Sequence, residues 1–236
     1  MQKLLGYMRS AAQKYDMIED GDKIAVGVSA GKDSLALLAA LVRLREFYPK
    51  KFEVVAITVD MRFDNEDSDF SGIRELCERL GVEYIIKPTR LAELIFDERK
   101  EKNPCSLCSK MRRGILDNTA LEYGCNKLAL GHHLDDVAET FMMNLLNGGN
   151  LDCFMPVTYH SNKGITVIRP MIFARESDCA RVARKENLPV LKSKCPADSN
   201  TEREEIKKFL SSLEKKYGNV RYKILGAMQR KEINGY

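Results

Sequence analysis

Short apolar runs alternate along this chain with longer segments in which apolar residues recur every three or four positions. This alternation is typical of a mainly parallel sheet wrapped by helices, because a helix returns the chain between successive parallel strands. The predicted strands are Ile24–Val28, Val54–Val59, Tyr84–Lys87, Lys127–Leu130 and the shorter Thr166–Ile168. The predicted helices are Leu35–Leu44, Ile73–Leu80, Met111–Tyr123, Val137–Leu146, Ser177–Glu186 and Arg203–Tyr217. The pattern therefore predicts a doubly wound α/β fold with flanking helices.

The same pattern divides the chain unequally. Residues 1–190 carry the alternation and are expected to form one α/β domain, whereas residues 191–236 are expected to form a small helical extension packed on it. Long loops are predicted at Asp60–Asp69, Glu98–Pro104, Asn147–Thr158 and Lys192–Asn200. Long loops in compact domains are often functional, and two of these contain or adjoin the cysteines considered below.

Composition narrows the class of protein. With 236 residues, 44% of them hydrophobic, the chain can bury one good core, or one core and a small appendage. No uncharged apolar stretch has the length of a membrane span, so we expect no membrane partner. The first twenty residues lack an apolar block followed by a cleavage site, so we expect a cytoplasmic location. The seven cysteines are then expected to be reduced, and a close pair indicates metal or redox chemistry.

The net charge of +4 hides an uneven distribution. Residues 181–236 contain 14 Lys or Arg against 7 Asp or Glu, which leaves 24 against 27 for residues 1–180. A basic end of this kind suits contact with a phosphate backbone. Its glutamates, however, are interleaved with lysines and arginines at spacings that allow ion pairs on a helix surface. Charge alone leaves both interpretations open.

A small, polar turn follows the first predicted strand. It reads Ser-Ala-Gly-Lys-Asp-Ser over Ser29–Ser34 and leads directly into the first predicted helix. Small side chains let backbone N–H groups approach an anion, and a helix start adds a positive dipole end. The Walker pattern does not fit, because Lys32 is followed by Asp33 and not by Ser or Thr. The segment predicts a phosphate-binding loop, although Asp33 as an ordinary helix cap is the simpler alternative.

Two further polar features follow predicted strands. Asp60 comes after the second strand, and Gly131–Asp136 (Gly-His-His-Leu-Asp-Asp) comes after the fourth. Ligands of doubly wound sheets bind outside the carboxyl ends of the strands, where the winding reverses. If the first and fourth strands are neighbours, all three features border one crevice. Asp60 is then placed to reach a ribose or adenine edge, with a solvated loop carboxylate as the alternative.

The chemistry of Gly131–Asp136 suits a nucleotide. Asp135 and Asp136 offer hard oxygen ligands for Mg²⁺ bound to a triphosphate, although adjacent carboxylates at a helix start are also good capping residues. His132 and His133 are neighbours in an extended segment, so their side chains point in opposite directions. We therefore expect at most one of the two histidines to touch a ligand.

The cysteines form the second group of candidate residues. Cys105 and Cys108 are spaced Cys-x-x-Cys ahead of a helix expected to begin near Ser109, a position that favours thiolates. Cys195 lies in another loop, and convergence of the two loops gives a three-thiolate set, which leaves one metal position open. Cys153 is ambiguous, since its loop can supply a fourth ligand. A thioredoxin-like redox pair is the alternative, although the surrounding pattern suits it poorly. The remaining cysteines, Cys77, Cys125 and Cys179, fit buried apolar positions.

Four segments together resemble the tRNA 2-thiocytidine synthetase group of ATP-pyrophosphatase (PP-loop) enzymes. They are Ser29–Ser34, where Ala30 replaces one Gly of the Ser-Gly-Gly-x-Asp-Ser pattern, Cys105–Gly114, Gly131–Asp136 with Glu139 and Thr140, and Ile168–Met171 before Arg175 and Glu176. The resemblance spans nearly the whole chain. It implies a Rossmann-like fold of the adenine nucleotide alpha-hydrolase type, with residues 1–190 as the PP-loop ATP-binding domain.

The resemblance also implies an activity. Enzymes of this group are ATP-dependent tRNA sulfurtransferases that adenylate a pyrimidine C2 carbonyl and replace its oxygen with sulfur, forming 2-thiocytidine in the anticodon loop. They use ATP, Mg²⁺ and a [4Fe–4S] cluster held by three cysteines, here Cys105, Cys108 and Cys195, and one iron is then free to carry hydrosulfide. The implied partners are tRNA, a sulfur donor such as a cysteine desulfurase or free sulfide, and a second copy in a homodimer.

Roles follow for individual residues. The expected catalytic residues are Asp33, Asp135, Asp136 and Arg112, with Asp135 and Asp136 also as Mg²⁺ ligands. The expected ATP-binding residues are Ser29, Ala30, Gly31, Lys32, Asp33, Ser34, Asp60, Gly131 and His132. The expected tRNA-binding residues are Arg113, Lys192, Lys194, Arg203, Lys207 and Lys208.

Other readings stay open at this point. A tRNA lysidine synthetase shares the loop and the His/Asp segment but has no need of the Cys-x-x-Cys pair. A thiouridine-type sulfurtransferase usually carries flanking zinc fingers, and no second Cys-x-x-Cys module occurs in the sequence. A non-catalytic regulator has no evident use for Asp33, Asp135 and Asp136. A cluster-dependent enzyme that removes sulfur from a thiolated base uses much the same cysteines.

Overall fold

The computed structural model describes residues 1–63, 66–99, 104–197 and 202–236. Six strands form one sheet: β1 Asp22–Gly27, β2 Phe52–Asp60, β3 Glu83–Pro88, β4 Lys127–Ala129, β5 Val157–His160 and β6 Ile165–Ile168. The described α-helices are α1 Gln2–Lys14, α2 Lys32–Phe47, α3 Ser71–Leu80, α4 Pro104–Glu122, α5 Leu134–Gly148, α6 Glu176–Lys185, α7 Glu202–Tyr217 and α8 Val220–Arg230. A short π-helix at Glu93–Glu98 and a 3₁₀ turn at Ile233–Gly235 complete the described elements.

The strands lie in the order β3-β2-β1-β4-β6-β5. All neighbours are parallel except β5, which pairs antiparallel with β6 at one edge. The chain therefore winds from β1 outwards to β3 and then returns to β4 on the other side of β1. This reversal makes the sheet doubly wound, which confirms the predicted fold class and places the switch point between β1 and β4.

Both faces of the sheet are covered, because alternate residues of a strand point to opposite sides. Ile24 and Val26 of β1 belong to the main core with α1, α2 and α6, whereas Ala25 between them packs with Leu128 of β4 in a second cluster. Helix α2 lies against α1 and α6, so its apolar residues are buried on nearly every side. This packing holds the start of α2 rigidly at the end of β1.

The predicted elements are present with shifted ends, and α1, α8, β5, the π-helix and the 3₁₀ turn were not predicted. Helix α4 begins at Pro104 and not near Ser109 as expected, because proline is well suited to the first position of a helix. The predicted loop Asn147–Thr158 contains the start of β5, and α1 and α8 are additional helices. Gly81, predicted at a helix end, follows α3 with a φ of 62°. Residues 64–65, 100–103 and 198–200 of three predicted loops lie outside the described residues.

The C-terminal helices pack on the α/β part of the chain. Ile206 and Leu210 of α7 contact Ala138 of α5, and Leu225 and Met228 of α8 belong to the main core. A domain boundary at residue 190 stays a prediction, since the core is shared across it. Within the described ranges, no helix combines the length and the apolar character needed to cross a bilayer.

Candidate active site

The phosphate loop Ser29–Ser34 is closed by its two serines. Ser34 Oγ accepts a hydrogen bond from the Ser29 N–H at 3.1 Å and donates one to the Gly31 carbonyl at 2.9 Å. Helix α2 begins within the loop, at Lys32. The free N–H groups of its first turn therefore face the carboxyl end of β1, which gives the loop the character of an anion site.

Ala30 adopts the backbone conformation that normally requires glycine. Its φ is +63°, in the left-handed region, and its side chain is buried. A Cβ in this region costs roughly 1–2 kcal/mol. Ala30 therefore maintains this left-handed turn with backbone strain.

Gly131 brings the second signature segment against the phosphate loop. β1 and β4 are paired, which is the condition under which one crevice was expected, and a Cβ built on Gly131 would lie 3.2 Å from both the Asp33 carbonyl carbon and the Ser34 nitrogen. Real Cβ atoms are rarely this close to backbone atoms. Glycine is thus required here because two backbones approach one another, and the loop and Gly131–Asp136 border one crevice as expected.

His133 joins two carboxylates in this crevice. It caps α5, where its Nδ1 accepts a hydrogen bond from the Asp136 N–H at 3.3 Å while Asp136 Oδ2 accepts one from the His133 N–H at 2.9 Å. The other ring nitrogen, Nε2, lies 3.8 Å from Asp33 Oδ1. Burial raises the pKa of Asp136 in spite of these contacts. Asp33 and Asp136 therefore stand on opposite sides of one histidine, close to the phosphate loop.

Asp135 points elsewhere. Its oxygens lie 3.2 Å from Arg175 Nε and 3.0 Å from Arg221 Nε, and one also accepts a hydrogen bond from the Glu176 N–H at 2.7 Å. It does not line either cavity described below. These contacts give Asp135 a structural role between α5, α6 and α8. Of the two predicted magnesium ligands, only Asp136 borders the crevice.

Asp60 is also held within the fold. It is buried, and its carboxylate accepts hydrogen bonds from the Arg62 N–H, the Ser68 N–H and the Ser68 hydroxyl at 2.8 to 3.1 Å. The alternative of a solvated loop carboxylate is therefore wrong. Asp60 shapes the segment that follows β2, and its predicted contact with a ribose or adenine stays a prediction.

The three cysteines assigned to a cluster line one cavity. Cys105 and Cys108 lie in the first two turns of α4, and Cys195 reaches the same cavity of about 380 Å³ from the loop before α7. Cys153 is buried with its Sγ 3.6 Å from the Val137 carbonyl, and it lines neither this cavity nor the one at the phosphate loop. The ambiguous fourth position is thereby removed from the set. The described cysteines outside the set, Cys77, Cys125, Cys153 and Cys179, are all buried, as predicted for Cys77, Cys125 and Cys179.

The helix start does not dominate the ionisation of Cys108. Burial raises the pKa of this thiol, and the neighbouring Arg112 guanidinium offsets only part of the rise. The expectation that the helix start lowers its pKa is therefore wrong for Cys108. In the described residues, no three His, Cys, Asp or Glu side chains are grouped tightly enough around one point to bind a single metal ion.

The cysteine cavity and the phosphate-loop cavity adjoin one another. The second cavity, of about 300 Å³, is lined by Ser29, Asp33, Ser34 and Asp136 among others, and both cavities share the side chains of Arg112, Leu116, Leu130 and His132. A group bound at the phosphate loop and a group bound by the cysteines would therefore meet at these four residues.

Three buried polar atoms at this junction have no hydrogen-bond partner among the described residues. They are Asp33 Oδ1, Arg112 Nε and His132 Nδ1. Buried polar atoms are nearly always paired in folded proteins, so unpaired ones mark a place where a ligand completes the network. The His132 ring packs on Phe154 with ring centroids 4.8 Å apart, and burial together with Arg169 lowers the pKa of His132 to about 3. His132 is thus neutral and available as a hydrogen-bonding group.

The basic residues predicted to bind tRNA divide into two groups. Arg203 and Lys207 of α7 turn towards the crevice: Arg203 lies 3.7 Å from Asp136, and Lys207 lies 2.8 Å from Glu176. Their positive charges are balanced there, which weakens the case for a direct tRNA contact. Arg113 lines the cysteine cavity, Lys194 lies 3.9 Å from Glu66, and Lys192 and Lys208 are exposed. Their role in tRNA binding stays a prediction.

Glu176 links the phosphate loop to α7. Its two oxygens lie 2.9 Å from Lys32 Nζ and 2.8 Å from Lys207 Nζ. Burial alone raises the pKa of Glu176, but its hydrogen bonds with Lys207 and Lys32 outweigh burial and lower it to about 2. For Lys32 the directions are reversed. Burial lowers the pKa of this amine, but its interactions with Glu176 and Asp33 raise the pKa by more than burial lowers it. Lys32 is therefore firmly charged beside the anion site.

Sequence reasoning missed the partners of Asp135, and it gave no role to Glu139, a residue of the quoted motif. Arg221 is buried and joins Asp135 to Glu214, and Glu139 is buried 3.5 Å from Arg203. Burial and the neighbouring Asp136 raise the pKa of Glu139 to about 7. A periodic pattern gives no signal for Arg221, because its partners lie far away in the sequence.

Comparison with family models identifies the chain's family. A family model described as "PP-loop domain" matches residues 6–232. This chain belongs to the PP-loop family. The resemblance noted in the sequence is therefore confirmed, and the matched range of this PP-loop protein includes the phosphate loop Ser29–Ser34.

Curated relatives of this PP-loop protein are named as tRNA-modifying enzymes. It is 37% identical to a tRNA-cytidine(32) 2-sulfurtransferase of Dechloromonas aromatica, over 97% of this chain and 81% of the relative. It is 36% identical to an enzyme of the same name from Geobacter sulfurreducens, over 96% of this chain and 88% of the relative. These relatives match essentially the whole chain and not the nucleotide-binding part alone.

Solved structures agree on the fold. The U34-tRNA thiolase NcsA of Methanococcus maripaludis, solved with its [4Fe–4S] cluster, is 28% identical and superimposes with a TM-score of 0.77 over 96% of this chain and 78% of that one. An NH3-dependent NAD synthetase of Campylobacter jejuni, 16% identical, gives a TM-score of 0.52 over 100% of this chain and 96% of that one. The second likeness concerns the fold alone.

Proposed function

We propose that this PP-loop protein is an ATP-dependent tRNA sulfurtransferase that converts a cytidine of the anticodon loop to 2-thiocytidine, with cytidine 32 as the position that its relatives' names indicate. One observation carries the proposal. The cavity lined by Cys105, Cys108 and Cys195 shares a wall with the cavity at the phosphate loop. Activation of the base by ATP and delivery of sulfur from a cysteine-bound group must both reach the same C2–O2 carbonyl of the base. A base bound where the two cavities adjoin can be reached from both.

The phosphate loop is suited to hold the leaving pyrophosphate. Its backbone N–H groups, the hydroxyls of Ser29 and Ser34, and the charged Lys32 surround the position after β1. Asp33 and Asp136 are the carboxylates that face this position, so they are the proposed Mg²⁺ ligands. Asp135 is proposed to act indirectly, by fixing the start of α5 through Arg175 and Arg221.

The junction residues are suited to the reacting base. In the first step the pyrimidine O2 attacks the α-phosphorus of ATP, and pyrophosphate leaves. Arg112, whose Nε is buried and has no partner in the part of the chain that the structure describes, is proposed to hold the α-phosphate as its charge develops. The neutral His132 ring is proposed to orient the nucleotide or the base. In the second step hydrosulfide adds to C2 and the C2–O bond breaks. AMP departs with the oxygen and one proton is released, which balances the exchange.

The cysteine cavity fits a [4Fe–4S] cluster better than a single zinc ion. Thiolates around one ion lie close together, and the described residues contain no such group, whereas a cuboidal cluster needs its ligands farther apart. Three cysteines around a cavity of about 380 Å³ meet that need. When bound, such a cluster supplies one iron without a protein ligand, on which sulfide can be carried to the base.

The partners are proposed on the same basis. tRNA is the substrate that the relatives' names indicate. The proposed contacts with its phosphate backbone are the exposed Lys192 and Lys208, together with Arg113 at the cysteine cavity. The sulfur donor is proposed to be a cysteine desulfurase or free sulfide. A homodimer and a cytoplasmic location complete the proposal.

The decisive experiment combines cluster reconstitution with a product assay. The protein is loaded with iron and sulfide under anaerobic conditions, and its optical and EPR spectra are recorded. Unmodified tRNA is then incubated with ATP, Mg²⁺ and sulfide, and 2-thiocytidine and pyrophosphate are measured. We expect a [4Fe–4S] signature, and thiolation that requires ATP. Cys195→Ser should lose both, whereas Cys125→Ala, a buried cysteine away from the cavity, should keep both.

Two outcomes would contradict the proposal. A loaded cluster that removes sulfur from thiolated tRNA without ATP would indicate a desulfidase. Binding of zinc alone, with pyrophosphate release that persists in the Cys195→Ser variant, would make the cysteines structural.

A further inference from the structure

The loop that carries Cys195 is attached to the phosphate loop at its start. The Leu191 N–H donates a hydrogen bond to the Ala30 carbonyl at 3.0 Å. Ala30 is the residue with a φ of +63°, so the left-handed turn directs its carbonyl towards Leu191. Leu191 is four residues before Cys195, so the position of this third cysteine depends on the shape of the phosphate loop.

The chain beyond Cys195 is attached to the other wall of the crevice. Arg203, eight residues after Cys195, donates a hydrogen bond to Thr140 Oγ1 at 3.1 Å and lies 3.5 Å from Glu139 and 3.7 Å from Asp136. One turn later, Lys207 contacts Glu176, which also holds Lys32. The chain thus contacts the nucleotide crevice at Leu191, before Cys195, and again at Arg203, which lies beyond residues 198–201 that the structure does not describe.

Cys105 and Cys108 have a different foundation. They belong to α4, where Leu107 and Met111 pack with the π-helical segment and the end of β2 through Ile95 and Val59. Among the described residues, this cluster contains none of Ser29–Ser34, although its Leu116 also lines the cavity at the phosphate loop. The first two turns of α4, which carry Cys105 and Cys108, therefore pack on a different part of the fold from the start of the Cys195 loop.

We infer that nucleotide occupancy of the phosphate loop sets the position of Cys195 relative to Cys105 and Cys108. A bound triphosphate competes with Glu176 for Lys32, and Mg²⁺ competes with Arg203 for Asp136. The contacts of α7 that follow Cys195, Arg203 with Asp136 and Lys207 with Glu176, therefore change when MgATP binds. This inference rests on the proposed nucleotide site, and coupling between two sites is reciprocal, so occupation of the cysteine cavity alters nucleotide affinity by the same factor.

The test uses the free thiols as reporters in the protein without iron. Cys105 and Cys195 are alkylated with iodoacetamide, and the two rates are measured by mass spectrometry with and without a non-hydrolysable ATP analogue and Mg²⁺. Analogue binding is measured by calorimetry on the same samples. We expect the ratio of the Cys195 and Cys105 rates to change by at least about fivefold, at the lower end of typical coupling between sites.

Variants separate coupling from binding. Arg203→Gln removes the downstream attachment, and Thr140→Val removes only the hydroxyl that accepts from Arg203, so the change in ratio should fall below about twofold in both. Lys215→Gln, at an exposed position of the same helix, is the matched control and should behave as the unmodified chain does.

The outcomes distinguish the two proposals. Analogue binding with an unchanged ratio overturns the coupling and leaves the sulfurtransferase proposal intact. A full change in ratio that persists in both the Arg203 and Thr140 variants overturns the role of Arg203. Absence of analogue binding overturns both the coupling and the proposed nucleotide site.

Discussion

Gly131 offers a sharp test of how closely the two signature segments must approach. A Cβ at this position would lie 3.2 Å from the Asp33 carbonyl carbon, 3.2 Å from the Ser34 nitrogen and 3.3 Å from the Asp33 oxygen. All three are backbone atoms, and optimal carbon contacts lie at about 3.5–4.0 Å. Gly131→Ala therefore has to separate the phosphate loop from the Gly131 segment by a few tenths of an ångström.

The expected cost follows from overpacking, which typically destabilises a core by about 1–3 kcal/mol. For a chain of this size each kcal/mol corresponds to roughly 2–4 °C, so a loss of about 2 kcal/mol lowers the melting temperature by roughly 4–8 °C. The displaced loop should also bind an ATP analogue about tenfold more weakly, which is equivalent to about 1.4 kcal/mol. Calorimetric melting and isothermal titration measure the two effects.

Gly6→Ala is the matched control. Gly6 lies inside α1, and a Cβ there meets no atom within 4 Å, so the same substitution should stabilise the protein by about 0.5–1 kcal/mol. An unchanged melting temperature and unchanged affinity in Gly131→Ala would refute the reasoning, because they would show that the loop moves aside without cost.

Three further predictions concern residues of the same region. Ala30→Gly should raise the free energy of unfolding by roughly 1 kcal/mol in urea denaturation, because it relieves the strain of a left-handed φ; a loss of stability would contradict this. Arg221→Met should destabilise the protein by about 3 kcal/mol in the same assay, since it leaves Asp135 and Glu214 with less compensation; a neutral effect would show that Arg175 suffices. Burial raises the pKa of Glu139 from 4.5 to about 7, so the folded chain retains a proton that the unfolded chain releases, and stability falls as the pH rises through this window. Glu139→Gln should remove that fall when urea midpoints at pH 5 and pH 8 are compared, and an identical pH dependence in the variant would argue against the assignment.

The phosphate loop and the Cys-x-x-Cys pair were predictable because their signals are local. A strand, a turn of small residues and a helix start occur within about twenty residues, and the turn chemistry depends on that local geometry. The neighbourhood of β1 and β4 followed from the general rule for doubly wound sheets. Convergence of Cys195 with Cys105 and Cys108 was expected from the resemblance, and the structure brings the three to one cavity.

The different fates of Asp135 and Asp136 were not predictable from the sequence. The two are adjacent and chemically identical, and only their orientation on α5 separates them. Arg175 and Arg221, which hold Asp135, lie 40 and 86 residues further along the chain. Such pairs leave no periodic pattern. For the same reason the sequence gives no sign that Arg203 and Lys207, which are predicted to contact tRNA, have carboxylate partners on α5 and α6.

The missed elements have local causes. β5 has four residues and lies at the sheet edge, so only part of it is buried and its alternation is weak. α8 contains Gly226, and its buried residues are Arg221, Leu225 and Met228. Because one of these three is charged, the helical period of apolar residues is weak. α4 was placed too late because Pro104 was treated as the end of a loop and not as the first residue of a helix.

Helix α4 sets the separation between the two halves of the proposed reaction. Cys105, Cys108 and Arg112 are spaced three and four residues apart, so they share one side of a helix, and Arg112 follows Cys108 by about 6 Å along the axis. The helical pitch thus fixes the distance between the cysteines that are proposed to hold the sulfur-carrying group and the arginine that is proposed to hold the phosphate. One residue inserted between Cys108 and Arg112 would rotate the arginine by about 100° away from the junction. We therefore expect any change in the length of α4 between these two residues to separate the cysteines from the junction with the phosphate-loop cavity.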